Sequence, residues 1–462
     1  MNDFDLLVKG GMVVNESGVL VRDIGIRHGK IAAIADHINE RGEQLIDATG
    51  MYVFPGGIDV HTHLAASVGS AVSSDDFTTG TIAAACGGTT TIIDFVTQNR
   101  GQSLAEAIED RHLQARGRVA IDYSFHISPT TIDDSTIAAI PSLISDGYPS
   151  FKFYLTYDNL RVTDGELLAA LVKTRDAGGL VCVHAENYYM IDYLVKELRA
   201  AGKTGPRYHP LSRPPLVEEE ATGRAIRLAR LVNAPIYIVH VTCQESLDEI
   251  SRARANNVPV MGETCPQYLL LSCDRYDEPD FQGAKYVLSP PLRPAKNQPL
   301  LWDGLANDCL QVVSTDHCPF NFDGQKDIGK NFFSEIPNGV PGIEARLILL
   351  YYFGVYQKRL SIQRFVELTA TNPARIFGLY PQKGTISSGS DADLVVFDPE
   401  RETTITKGIL HENVDYTPYE GMCVKGWPVV TIARGRIVFQ NGIFTGSVGS
   451  GAFLRRKKPA LL

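Results

Sequence analysis

Between residues 57 and 316, eight short apolar strand patterns alternate with helical stretches, and this alternation restricts the fold more than any other feature of the chain. The strands read as 57–61, 90–95, 122–126, 150–154, 180–184, 236–240, 258–262 and 311–316. Helical patterns separate them, among them 78–85 and 216–231. Glu218, Glu219 and Glu220 stand near the start of the second helix, where the helix dipole favours acidic side chains. Eight β/α repeats predict an α/β chain built on a (β/α)8 barrel of the TIM type.

The two flanks have another texture. Short alternating runs at 4–10, 12–15, 23–27 and 30–34 are punctuated by Gly, Asn and His, as in an antiparallel meander. The same pattern returns at 393–398, 429–434 and 436–439. Neither set is stable as an isolated small sheet. The sequence therefore predicts one small β-sandwich assembled from both chain ends. The expected division is a sandwich of residues 1–54 with 376–462 and a catalytic barrel of residues 55–375.

Composition serves to exclude. With 44% hydrophobic and 21% charged residues, the chain is neither disordered nor fibrous. A net charge of −9 argues against a general grip on nucleic acid. The basic cluster Arg455-Arg456-Lys457-Lys458 reads as a solvated end. Eight cysteines without a CxxC pair argue against a disulfide framework and a Cys-rich zinc site. The start, Met1-Asn2-Asp3-Phe4-Asp5, lacks the pattern of a signal peptide, and no run approaches about 18 apolar residues. A cytoplasmic protein without a membrane partner is the expectation.

Polar residues able to bind metal recur at the C-terminal ends of the predicted strands, the face where barrels place their active sites. Strand one ends His61-Thr62-His63, and positions i and i+2 of a strand share one face. Strand four carries Lys152 inside an apolar run. That lysine either snorkels to a carboxylate or reacts with carbon dioxide to become a carbamate with two oxygen ligands. Strand five ends at His184 and strand six at His240, each read singly as a core histidine or a ligand. Strand eight ends Ser314-Thr315-Asp316, where the aspartate is a helix cap or a ligand and general base. Taken together, four histidines, one lysine and one aspartate on five strands fit one binuclear site better than five separate accidents. Imidazole and oxygen donors suit zinc first, with manganese, cobalt or iron as alternatives.

At this point the sequence resembles the amidohydrolase superfamily, and within it the cyclic amidases, dihydropyrimidinase and D-hydantoinase (phenylhydantoinase). The segments that carry the resemblance span nearly the whole chain. They are Phe54 to His63, Asp75 to Thr81, Gly87 to Phe95, Ser150-Phe151-Lys152, Val183 to Asn187, Glu263 to Tyr268, Leu288 to Arg293, and Ser314 to Cys318. The resemblance implies that His61, His63 and Asp316 hold one divalent metal and His184 and His240 a second. Lys152, as N6-carboxylysine, would bridge the two. It implies that Tyr157 hydrogen-bonds the substrate and the developing oxyanion. Ser289 and Asn338 would bind the cyclic amide or imide edge through backbone groups, although Asn338 also reads as a plain turn residue. The implied reaction is metal-dependent hydrolysis of dihydropyrimidines or 5-substituted hydantoins to N-carbamoyl amino acids. Hydroxide from the binuclear centre would attack the ring carbonyl, and Asp316 would pass its proton to the leaving nitrogen. A homotetramer is also implied.

Related readings are weaker. Dihydroorotases carry an arginine just after the HxH pair, where this chain has Leu64-Ala65-Ala66. Allantoinases match the segments at 75–81 and 288–293 less well. A non-catalytic dihydropyrimidinase-related interaction protein would lack ligands, and here all six positions are filled. One departure from relatives is the run Ala65-Ala66-Ser67-Val68-Gly69-Ser70, whose small residues are expected to leave room for a large exocyclic substituent. The free C-terminal segment 453–456 is expected either on a neighbouring subunit or in solvent.

Overall fold

The structure, a computed structural model, describes residues 3–69 and 71–461. Met1, Asn2 and Ser70, which entered the readings above, lie outside the described residues. Among the described residues no helix is long and apolar enough to cross a membrane.

Eight parallel strands follow one another around the barrel in chain order: Gly57–Thr62, Thr89–Thr97, Asp122–Ser128, Ser150–Tyr154, Leu180–His184, Ile236–Ile238, Val260–Thr264 and Val312–Val313. The first five match the sequence reading closely. The last three differ, and each difference has a cause. Strand six stops at Ile238, and His240 lies beyond it on left-handed backbone with φ 37°. Strand seven begins two residues later than expected, immediately after Pro259, which has no N–H to donate. Strand eight keeps two ladder residues, and Asp316 follows them with φ 52°.

Strands eight and one do not form a continuous ladder; polar side chains close the seam instead. Asp59 accepts from the Thr315 hydroxyl at 2.6 Å and from the backbone N–H groups of Thr315 and His61, both at 3.2 Å. Arg346, fully buried, donates to the carbonyls of Ile58 and Val313 at 2.9 Å each. Further up, His63 N–H reaches the carbonyl of His317 at 2.8 Å. The seam thus fixes strand one, which carries the HxH pair, against the segment that carries Asp316.

The chain ends build one nine-stranded mixed sheet. Phe4–Asn15, Gly18–Arg27 and Lys30–Ala35 form the expected meander. Tyr52–Pro55 joins the halves, pairing parallel with the first strand and antiparallel with Leu394–Thr404. Gly42–Asp47 pairs parallel with the first strand, and Cys423–Ala433, Arg436–Gln440 and Ile443–Phe444 complete the sheet. Leu6, Val8, Ile24 and Ile26 from one end share an apolar core with Leu394, Val396, Val430 and Ile432 from the other.

The C-terminal tail corrects the expectation of a solvent-exposed segment. It returns to the chain's own barrel, where Leu454 N–H bonds Tyr123 O at 2.7 Å and Tyr123 N–H bonds Ala452 O at 3.0 Å. Leu454 is buried in one apolar cluster with Val60, Tyr237 and Phe377. Arg456 is not solvated: it is 4% exposed and donates to Ser124 Oγ at 2.9 Å and Ser150 Oγ at 2.8 Å.

Candidate binuclear metal centre

All nine residues singled out from the sequence line one cavity of about 340 Å³ at the C-terminal end of the barrel: His61, His63, Lys152, Tyr157, His184, His240, Ser289, Asp316 and Asn338. Strand alternation explains the HxH pair. His61 and His63 turn inward, while Thr62 between them donates to buried Asp94 at 2.8 Å. Asp94 also accepts from Leu64 N–H at 3.0 Å and pairs with Arg111.

The candidate donor atoms lie close to one another. Asp316 Oδ1 lies 3.2 Å from His61 Nε2 and 3.0 Å from His63 Nε2. His184 Nδ1 lies 2.9 Å from His240 Nε2. His61, His240 and Asp316 each offer an atom within 4.8 Å of the others. Three site residues, Tyr157 (φ 70°), His240 (φ 37°) and Asp316 (φ 52°), sit on left-handed backbone. Non-glycine residues hold that conformation at a cost of order 1–3 kcal/mol, which the surrounding structure must offset.

Lys152 tests whether a metal group fits. Its Nζ is fully buried and has no hydrogen-bond partner, and the rings of Phe95 and Tyr154 lie about it at 5.0 and 5.2 Å. Burial pushes its pKa down, although Glu263 and Asp316 oppose the shift. An ammonium group among imidazoles with no bonding partner is costly. His240 Nδ1 is likewise without a partner. Burial, followed by the Lys152 charge, lowers the pKa of His61. Burial also lowers those of His184 and His240. Neutral imidazole is the form that binds metal. Asp316 is held down to about 2: burial works against ionisation, but His61 and His63 outweigh it. The donor set therefore fits a pair of divalent cations.

Behind the ligands stand residues that sequence reasoning left without a role. Glu263, on strand seven, bonds His61 Nδ1 and accepts from the Tyr237 hydroxyl at 2.9 Å. Glu186 accepts from His184 Nε2 at 2.8 Å and from Arg213 at 2.5 Å. Such carboxylates fix the tautomer and ring orientation of metal-bound histidines. A signal was available for both: Glu263 interrupts an apolar strand as Lys152 does, and Glu186 stands two residues after His184. Tyr157 packs 5.4 Å from the His184 ring, with the Arg213 guanidinium 5.6 Å from its centre. Burial pushes its pKa up to about 12, Arg213 opposing, so the hydroxyl keeps its proton near neutral pH. The eight cysteines are free; Cys318 lines the cavity, while Cys265 is buried beside Ser314.

A nearly closed ring of parallel strands with imidazole, carboxylate and lysine converging at its C-terminal mouth defines a metal-site barrel hydrolase. The amidohydrolase family model matches residues 52–438, and the chain belongs to that family. Among curated proteins it is 49% identical to a D-hydantoinase of Rhizobium radiobacter over 455 residues, covering 98% of this chain and 99% of that one. The solved dihydropyrimidinase from Brevibacillus agri superposes with a TM-score of 0.98 at 45% identity, covering 99% of both chains. An L-hydantoinase from Arthrobacter aurescens superposes at 0.89 with 30% identity, covering 98% of this chain and 100% of that one.

Proposed function

We propose that this enzyme hydrolyses the ring amide of dihydropyrimidines and 5-substituted hydantoins, releasing N-carbamoyl amino acids. The observation that carries the reading is the partnerless Lys152 Nζ among His61, His184, His240 and Asp316. Reaction of its neutral amine with carbon dioxide forms an N–C bond, releases a proton and leaves a carbamate whose two oxygens suit two cations. His61, His63 and Asp316 would hold one ion, and His184 and His240 the other. Zinc suits this mixture of imidazole and oxygen donors best. Bound there, the ions supply Lewis acidity and lower the pKa of water.

The chain's own residues do the rest. Asp316, ionised and beside both histidines of the HxH pair, accepts the proton of the attacking water and returns it to the ring nitrogen as the C–N bond breaks. The Tyr157 hydroxyl donates to the carbonyl oxygen as negative charge develops, a role worth roughly 3–4 kcal/mol for a well-placed donor. Ser289 and Asn338 hold the amide edge through their peptide groups. The exocyclic substituent leaves the ring toward the cavity mouth, between Ala66–Gly69 and Gln98–Arg100. The active assembly is a homotetramer of cytoplasmic location.

Ring opening of dihydrouracil, phenylhydantoin and allantoin, assayed side by side with chiral analysis of the products, tests the reading. Turnover of the first two above allantoin supports it; allantoin as the preferred substrate, or no turnover by chain carrying two metals, overturns it. Asp316→Asn is expected to lower kcat by roughly 10²–10⁴-fold with unchanged circular dichroism. Near wild-type turnover would remove Asp316 from its role.

A further inference from the structure

Lys326 opens the short helix Lys326–Asn331 and is fully buried. Among the described residues no carboxylate forms an ion pair with it. Its Nζ donates instead to three main-chain carbonyls: Val287 O at 2.7 Å, Pro337 O at 2.8 Å and Gly339 O at 2.7 Å. An ammonium has three N–H bonds, and all three are used. A buried cation with no counter-ion is expensive, and burial brings its pKa down to about 7. The three carbonyls come from the two segments that carry Ser289 and Asn338.

The geometry around those two residues is consistent throughout. Gly339 N–H bonds Val287 O at 3.0 Å, and Ser289 Oγ donates to Asn338 Oδ1 at 3.2 Å, so the segments are tied directly as well. The Leu288 carbonyl accepts from His209 Nε2 at 2.8 Å, and the Pro290 carbonyl from the Tyr268 hydroxyl at 2.8 Å. Among the described residues, by contrast, the peptide N–H and C=O groups of Ser289 and Asn338 have no partner within the chain. The Leu288–Ser289 and Pro337–Asn338 bonds are trans, so each N–H points opposite to the carbonyl of its own peptide unit. The Ser289 N–H therefore points away from His209, and the Asn338 N–H away from Lys326. Both residues line the cavity.

We infer that Lys326 is a positioning residue for substrate. It clamps the two segments at a fixed separation and draws electron density from the Pro337–Asn338 peptide, so that the free N–H donors of Ser289 and Asn338 meet a ring carbonyl oxygen. This rests on the ring-opening activity proposed above. It deepens that reading by assigning recognition of the ring to backbone donors whose spacing one buried ammonium sets.

The test is steady-state kinetics on phenylhydantoin with metal-loaded Lys326→Met and Lys326→Gln, with metal content and thermal melting measured alongside. The expected result is a KM raised about tenfold or more, with kcat changed far less and two metals per chain retained. Lys326→Gln, which keeps an amide donor, should recover part of the loss. A general structural defect would instead lower kcat and metal content together, and that pattern in both variants overturns the inference. So does a KM within twofold of wild type in a folded, metal-loaded variant. If wild type fails to open any of the rings, the ring-opening reading falls and this one with it; wild-type turnover with an unmoved variant KM removes only the role of Lys326.

Discussion

At the residue scale, the site is a set of donors whose orientation depends on partners distant in sequence. His61 presents Nε2 to Asp316 because Glu263 occupies Nδ1. Removing that carboxylate's charge should loosen the imidazole without touching a ligand. Glu263→Gln is expected to weaken metal binding by about 10–100-fold, read by competition with a chelator. Unchanged affinity would reduce Glu263 to a packing role. The candidate ligands could be named from the sequence because each stands in or just beyond a short apolar strand pattern. Glu263, Arg213 and Lys326 were not assigned, because their partners lie far along the chain: His61, Glu186 and the Val287 carbonyl. Strand periodicity carries no information about which distant group a buried charge will meet.

At the element scale, strands one to five were legible because their apolar runs extend through the ladder. Strands six and eight are shorter than their apolar runs suggest, since the chain leaves the ladder to aim His240 and Asp316 at the axis. Sequence patterns that mark apolar burial do not distinguish a strand from the loop that continues it. The tail shows the same limit: four consecutive basic residues read as solvent-exposed, yet Arg456 is buried on the barrel with backbone and serine partners. Leu454, two residues before it, belongs to the same buried apolar cluster as Val60, one residue before His61. Leu454→Ala is expected to cost about 2–5 kcal/mol in chemical denaturation, as for other buried leucines. A loss below about 0.5 kcal/mol, the range of ordinary surface substitutions, would show that the tail is not part of the barrel's packing.

At the scale of the whole molecule, the eightfold alternation set the architecture and the placement of the site followed from it. We propose the division into residues 1–54 with 376–462 and residues 55–375. The continuous pairing of Tyr52–Pro55 with Leu394–Thr404 supports it, since this joins the two chain ends immediately before barrel strand one. We propose that two divalent ions at these six side chains make the chain a ring-opening hydrolase. The direct measurement is to strip the protein with a chelator, then add zinc with bicarbonate while counting ions per chain and following phenylhydantoin opening. Activity is expected to be lost on stripping, to return with the metal and to saturate at two ions per chain, yielding the N-carbamoyl amino acid. Full ring opening by metal-free protein would contradict it.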